Sequence, residues 1–219
     1  MYFEDLGKSL TIKERVSENI KSQIILGNLK QGSRLKEEEL SKAMNVSRAP
    51  VREAFYQLEN DGFVKIIPRK GVIVLPLSSQ YIRDVYELNS ILENAALKKS
   101  FKNIPIPKLE ELEQIFRKHQ NNLATIESES EYLELDQSFH FLIVKCCDNQ
   151  KLLDEWKRLQ GLIHWFRTYS LRTITFKDSA QIHLEIIDAI KTKNLQLTTK
   201  RLNAHSRWAI SYATSEFEK

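Results

Sequence analysis

A chain of 219 residues with 42% hydrophobic and 28% charged residues has the composition of an ordinary soluble globular protein, long enough for one domain or two. No apolar run approaches membrane-spanning length, and the acidic start Met1-Tyr2-Phe3-Glu4-Asp5 lacks the apolar core of a signal peptide. The only cysteines, Cys146 and Cys147, are adjacent, which excludes a disulfide framework and leads us to expect a cytoplasmic protein. The net charge of +4 is mild, but residues 1–77 carry 13 Lys and Arg against 10 Asp and Glu, so most of the excess lies in the first third.

Thr11 to Leu26 reads as a helix, with Ile12, Val16, Ile20 and Ile24 on one stripe and Gly27-Asn28 ending it. Leu29 to Leu35 reads as a loop. A short helix fits Glu37 to Met44, with three acids in its first turn at the positive dipole end and Asn45 as a left-handed stop. The next helix covers Val46 to Leu58. Ser47 suits its N-cap, and Pro50 sits in the first turn, where its missing N–H costs nothing. Val51, Ala54, Phe55 and Leu58 face a core. Arg48 and Arg52, four apart, project together from the leading turn. Two short helices joined tightly, the second with a basic entry, form a helix-turn-helix pattern, and such arginines suit phosphates and guanine edges in a major groove. Asn60-Asp61-Gly62 is a turn. Residues 63–67 and 71–75 are β-branched runs around Pro68-Arg69-Lys70, a hairpin whose basic tip, Arg69 and Lys70, is expected to reach DNA as a wing, the plainer alternative being a solvated turn.

The run Gly32-Ser33-Arg34-Leu35-x-Glu37-Glu38-Glu39-Leu40, then Val46 to Ala54, Leu58-Glu59-x-x-Gly62 and Pro68-Arg69-x-Gly71-x-x-Val74, closely resembles the winged-helix domain of GntR-family transcriptional regulators over residues 10–76. The resemblance implies DNA contacts by Arg48 and Arg52, support from Ser47, and approach of the wing at Gly71 to the minor groove. Ala49 stands where a hydroxyl residue is common, which removes a side-chain hydrogen bond there. Glu38 stands where some members are basic, so no contact is carried onto it.

From Gln80 onward strand alternation disappears, and after Gly71 only Gly161 remains. The pattern predicts helices over 79–101, 108–127, 130–147, 150–173, 177–192 and 195–216, in an antiparallel bundle of six or seven. The expected fold is therefore mainly α: a winged helix-turn-helix over 1–76, then an all-helical domain over 77–219. Polar residues lie on buried stripes. Asp136 and His140 share a stripe with Leu133, Ile143, Val144 and Cys147. His183 shares a face with Ile186, Ile187 and Ile190, and His205 with Leu202, Ala209 and Tyr212. Both histidines lie 11 residues from Asn194, the expected turn, so an antiparallel hairpin sets them side by side. Three inward histidines and an aspartate suit a divalent transition metal. A buried Asp136–His140 ion pair and two hydrogen-bonded core histidines is the plainer alternative. His119, in a polar stretch, reads as solvated.

Leu92-Glu93-x-x-Ala96, Asp136-x-x-Phe139-His140, His183-x-x-Ile186-x-x-Ala189-Ile190 and His205 resemble the FCD domain, the ligand-binding domain of the FadR-type GntR subfamily, over about residues 79–215. The resemblance implies that Asp136, His140, His183 and His205 hold zinc or nickel, and that a small organic or sugar acid binds beside it. Many members carry an arginine where this chain has Asn89; Arg167, Arg172 and Arg83 are the candidate substitutes for holding an effector carboxylate. The expected function is a homodimeric regulator of a palindromic operator, controlled by a small-molecule effector, with no membrane partner and no catalysis. The alternatives are a metal-dependent enzyme using the His/Asp site, and a DNA-binding protein with a purely structural metal. Cys146 and Cys147 read as core thiols.

Overall fold

The computed structural model describes residues 11–121, 126–170 and 176–217. The chain divides into two compact units, Met1–Leu77 and Ser78–Lys219.

In the first unit, α1 (Ile12–Ile25) opens with a capping box: the Glu14 amide donates to Thr11 Oγ1 at 3.2 Å, and the Thr11 amide donates to Glu14 Oε2 at 2.8 Å. The strand β1 (Arg34–Leu35) follows, then α2 (Glu37–Ala43) and α3 (Arg48–Asn60). Asn45, at φ 52, makes the tight corner between those two helices. The strands β2 (Val64–Ile67) and β3 (Gly71–Val74) form the hairpin. β1 sits within the stretch expected to be loop. Its two residues pair antiparallel with β3, giving the sheet order β1-β3-β2. Two residues carry no readable period, so only the partner strand reveals them. Val16, Ile20 and Ile24 of α1 pack with Val51, Ala54, Phe55 and Leu58 of α3, all buried as their spacing requires, while Phe63, Val64, Val72 and Val74 close the core from the sheet. Glu59 Oε1 accepts from the Ile66 amide at 2.7 Å and ties α3 to the hairpin. At the hairpin, Arg69 takes φ 63 and Gly71 φ 94. A Cβ on Gly71 would lie 3.2 Å from Arg34 Nε, so both its backbone conformation and the guanidinium beside it favour glycine.

The second unit is helical throughout its described residues: α4 (Ser79–Ser100), α5 (Ile106–Asn121), α6 (Ile126–Lys145), α7 (Gln150–Ser170), α8 (Phe176–Lys191) and α9 (Leu195–Thr214), with a 3-10 turn at Ser215–Phe217. Ser78 caps α4, accepting from the Tyr81 amide at 3.2 Å. α5 begins two residues before its expected start, because Pro107 falls in the first turn, where proline is tolerated. Asn194 caps α9 by accepting from the Leu197 amide at 2.9 Å, and Lys193 at φ 56 completes the α8–α9 turn. The core joins Leu109 and Phe116 of α5, Tyr132, Leu135, Phe139 and Ile143 of α6, and Leu184, Ile186, Ile187 and Ile190 of α8. The buried stripe of α6 thus runs through Tyr132, Leu135 and Phe139, whereas Leu133 lies only half-buried at its edge. His119 is buried at 8% exposure and meets the Tyr132 ring edge-on, 5.6 Å between centroids, which corrects the solvated reading. Its neighbour Lys118 is exposed, but its own position is set by a ring on another helix.

Candidate metal centre and nucleic-acid surface

Asp136 and His140 lie one turn apart on α6, His183 lies on α8 and His205 on α9, and all four are buried. One ligand atom from each falls within 4.8 Å of the others. The hairpin geometry brings the His183 and His205 rings to 4.6 Å between centroids, and His140 lies 4.9 Å from His205. His183 Nδ1 sits 2.7 Å from the Ser179 carbonyl oxygen, which can only accept, so Nδ1 donates there and Nε2 faces the cluster. That Nε2 lies 3.2 Å from Asp136 Oδ1 and 3.4 Å from His140 Nε2. Ligand atoms about 2.1 Å from one tetrahedral ion stand roughly 3 to 4 Å apart, so the pairs at 3.2 and 3.4 Å already have that spacing and all four donors match a transition metal in type. Phe116 stacks on His183 at 4.7 Å, and Phe139 meets the same ring edge-on at 5.3 Å, fixing its plane.

Two further groups frame the cluster. Arg167 of α7 donates to Asp136 Oδ2, leaving Oδ1 turned to His183. Burial alone would raise the Asp136 pKa, but Arg167 and then His183 outweigh it and hold the carboxyl well below its ordinary value. The same pair pushes Arg167 upward against its own burial. The second group is Glu93 of α4, only 3% exposed. Its Oε1 accepts from Trp156 Nε1 at 3.1 Å and Asn89 Nδ2 at 3.0 Å, and Asn89 Oδ1 accepts from Gln160 Nε2 at 3.0 Å. His140 Nδ1 lies 3.1 Å from Glu93 Oε1, within ion-pair distance though off the line of a well-formed hydrogen bond. Burial acts to lower the His140 pKa, and the Glu93 carboxylate overcomes it, with a net upward shift. His205 has no carboxylate neighbour strong enough to offset its burial and the two other histidines, which together drive its pKa well down. His205 is therefore readily neutral, with a ring nitrogen able to hold a cation.

Among the residues expected to meet an effector, Arg167 is engaged with Asp136 at the cluster, Asn89 sits in the Glu93 network, and Arg172 lies outside the described residues. Sequence reading used Glu93 only as a mark of resemblance. Its contact with His140 was missed, although a glutamate between Ile82-Val85-Tyr86 and Ala96-Leu97 on the buried face of a helix is itself a signal that a partner is near.

In the first unit, Ser47, Arg48, Ala49 and Arg52 are exposed on the leading turn of α3, and Arg69 and Lys70 are exposed at the hairpin tip, with Gly71 half-buried behind them. Ser47 occupies the N-cap position, yet its side chain makes no capping hydrogen bond. Arg52 donates through Nε and Nη2 to both oxygens of Glu37, at 2.9 and 2.8 Å. Arg48 Nη2 lies 3.0 Å from Glu38 Oε2. No helix among the described residues is long and apolar enough to cross a membrane.

Residues 12–74 match the family described as bacterial regulatory proteins, gntR family, and residues 84–207 match the FCD domain. The chain is 28% identical over 190 residues to the HTH-type transcriptional regulator YdhC of Bacillus subtilis, covering 85% of this chain and 84% of that protein. It is 25% identical over 202 residues to the HTH-type transcriptional repressor RspR of Escherichia coli, covering 91% and 88%. It is 26% identical over 196 residues to the gluconate operon transcriptional repressor of Bacillus subtilis, covering 86% and 79%. Among solved structures, E. coli McbR/YncC has the same fold, with a TM-score of 0.73 at 18% identity over 95% of this chain and all (100%) of that one.

Proposed function

Because the chain belongs to the GntR family of bacterial regulatory proteins and carries an FCD domain, it is a DNA-binding transcriptional regulator and not an enzyme, and we propose that it works as an effector-controlled homodimer. In this reading residues 1–76 bind one half-site of a palindromic operator. Ser47, Arg48, Ala49 and Arg52 enter the major groove, and Arg69, Lys70 and Gly71 lie along the minor groove. Residues 77–219 dimerise and sense a small organic or sugar acid. A divalent metal, zinc or nickel, is held by Asp136, His140, His183 and His205, and supplies a Lewis-acidic centre for an oxygen ligand. The relative named for the gluconate operon supports testing sugar acids first.

The observation that carries the sensing half is the cluster itself: three histidines and an aspartate from three helices, buried together with no aliphatic barrier between them. Burial of so many titratable groups is costly for folding alone, and a cation shared among them offsets that cost. Arg167 keeps one Asp136 oxygen in place and brings positive charge to the edge of the cluster, which favours an anionic effector there. Effector binding shifts the two DNA-binding units only to the extent that it binds one arrangement better than the other.

Dimerisation is supported by an exposed stripe on α4. Leu88 at 47% and Ile91 at 65% exposure lie at its middle. Exposed Asp84 and Glu87 precede them and exposed Lys98 and Lys99 follow. Asp84 and Lys98 are each seven residues from Ile91. A second copy packed antiparallel about Ile91 therefore sets Asp84 against the partner's Lys98, as a two-fold interface requires.

The test is metal analysis of wild type and His183→Ala after reconstitution, joined to a thermal-shift screen of small carboxylates and sugar acids with and without chelator. We expect about one ion per subunit in wild type, from the four-ligand geometry, and clear loss in the variant. A wild type that stays metal-free, or an acid-induced shift indifferent to chelator, would refute the metal-centred sensor.

A further inference from the structure

Both arginines on the leading turn of α3 are already engaged without DNA. Glu37 holds Arg52 through two parallel hydrogen bonds, at 2.9 and 2.8 Å. Glu38 stands between two cations: Oε2 lies 3.0 Å from Arg48 Nη2, and Oε1 accepts from Lys42 Nζ at 2.9 Å. These acids occupy the first turn of α2, so the corner at Asn45 aims them at the entry of α3. A carboxylate, a DNA phosphate and the O6/N7 edge of guanine are all acceptors for a guanidinium. DNA must therefore displace a carboxylate to reach Arg48.

We infer that Glu38 is an internal competitor for Arg48: it occupies the guanidinium in the free protein and lowers the affinity of the α3 entry for DNA. The inference rests on the DNA-facing role of Arg48 proposed above. At a random sequence Arg48 finds only a phosphate, and the gain is electrostatic, through counterion release. A carboxylate 3.0 Å away has to be displaced first, which offsets part of that gain. At the operator the same guanidinium leaves Glu38 for two acceptors at fixed spacing on a guanine edge. That interaction outweighs an exposed ion pair, because Arg48 and Glu38 keep 60% and 53% side-chain exposure and such pairs contribute little in water. The outcome is a basic helix entry whose pull on the phosphate backbone is held down in the free protein.

The experiment uses the full chain, a duplex selected by wild type from a random pool, and a scrambled duplex of equal length, titrated by fluorescence anisotropy at several salt concentrations. Wild type, Glu38→Gln, Arg48→Ala and the double variant are compared. Glu38→Gln should bind the scrambled duplex about fivefold tighter at 0.15 M salt, with a salt slope steeper by about one, the equivalent of one added phosphate contact. Its affinity for the selected duplex should rise by a similar factor, since Arg48 has to leave Glu38 in both complexes. The gain should vanish in the Arg48→Ala background, as a direct pair requires. An unchanged scrambled-duplex affinity and slope would overturn the inference. So would a gain that persists without Arg48, which means bulk charge, or weakened binding confined to the selected duplex, which means that Glu38 reads a base. If Arg48→Ala leaves selected-duplex binding intact, the recognition surface itself is wrong, an outcome separate from a silent Glu38→Gln.

Discussion

Replacing Arg167 with Met removes a guanidinium and leaves a side chain of similar length. Asp136, at 3% exposure, then keeps only the His183 contact at 3.2 Å, and its Oδ2 loses its donor. Breaking a buried ion pair from one side costs about 3–5 kcal/mol, because the surviving charge is stranded. At roughly 2–4 °C per kcal/mol for a chain of this size, the melting temperature should fall by about 6 to 20 °C. Trp156, Trp165 and Trp208 all lie in the second unit, so tryptophan fluorescence reports its melting alone. The melt should be run in chelator, to keep any cation from replacing the lost charge. The pH dependence follows from the direction of the Asp136 shift. In wild type the folded-state pKa is depressed, so its stabilisation is complete above the unfolded value of about 3.9 and lost only as pH falls below it. In the variant, burial is no longer opposed by Arg167, the pKa rises, and protonation relieves the stranded charge. The gap between variant and wild type should therefore narrow from pH 7.5 to pH 5. Asp136→Asn combined with Arg167→Met should recover most of the loss, since no charge is then left alone. A drop below about 2 °C, a gap indifferent to pH, or a double variant as unstable as the single would refute the reasoning.

Glu93→Gln should weaken metal binding by about 10- to 100-fold while the protein still folds, because the carboxylate beside His140 Nδ1 orients that ring and raises its basicity. Competition against a chromophoric chelator measures this, and an unchanged affinity would leave Glu93 as a partner of Trp156 and Asn89 only. Ile91→Arg should dissociate the dimer: two isoleucines at the axis bury about 3–6 kcal/mol between them, so the dissociation constant should rise at least about 100-fold. Sedimentation velocity showing an intact dimer would move the interface away from the α4 stripe.

Much of the fold was legible because helices announce themselves locally. The stripe Val16-Ile20-Ile24 and the face Val51-Ala54-Phe55-Leu58 are buried as their spacing demands. Asn194 could be placed as the α8–α9 turn by its type and position, and its equal distance from His183 and His205 then required the rings to meet, as they do at 4.6 Å. Such inferences need only the rise of a helix and the direction of a hairpin. The chemistry surrounding the cluster had no local signature. β1 is a strand only because β3 runs beside it, and His119 is buried only because Tyr132 of α6 covers it. Arg167 was one of three arginines that sequence could not rank, and α7 packing set it on Asp136. Glu93 reaches His140 from a helix that lies 47 residues away in the chain. By itself, then, the sequence determined which residues turn inward, since hydrophobic periodicity is a property of neighbours three and four apart. The tertiary structure alone decided which charge each inward polar group meets, because a pair joined across helices depends on how whole elements pack and leaves no spacing to read.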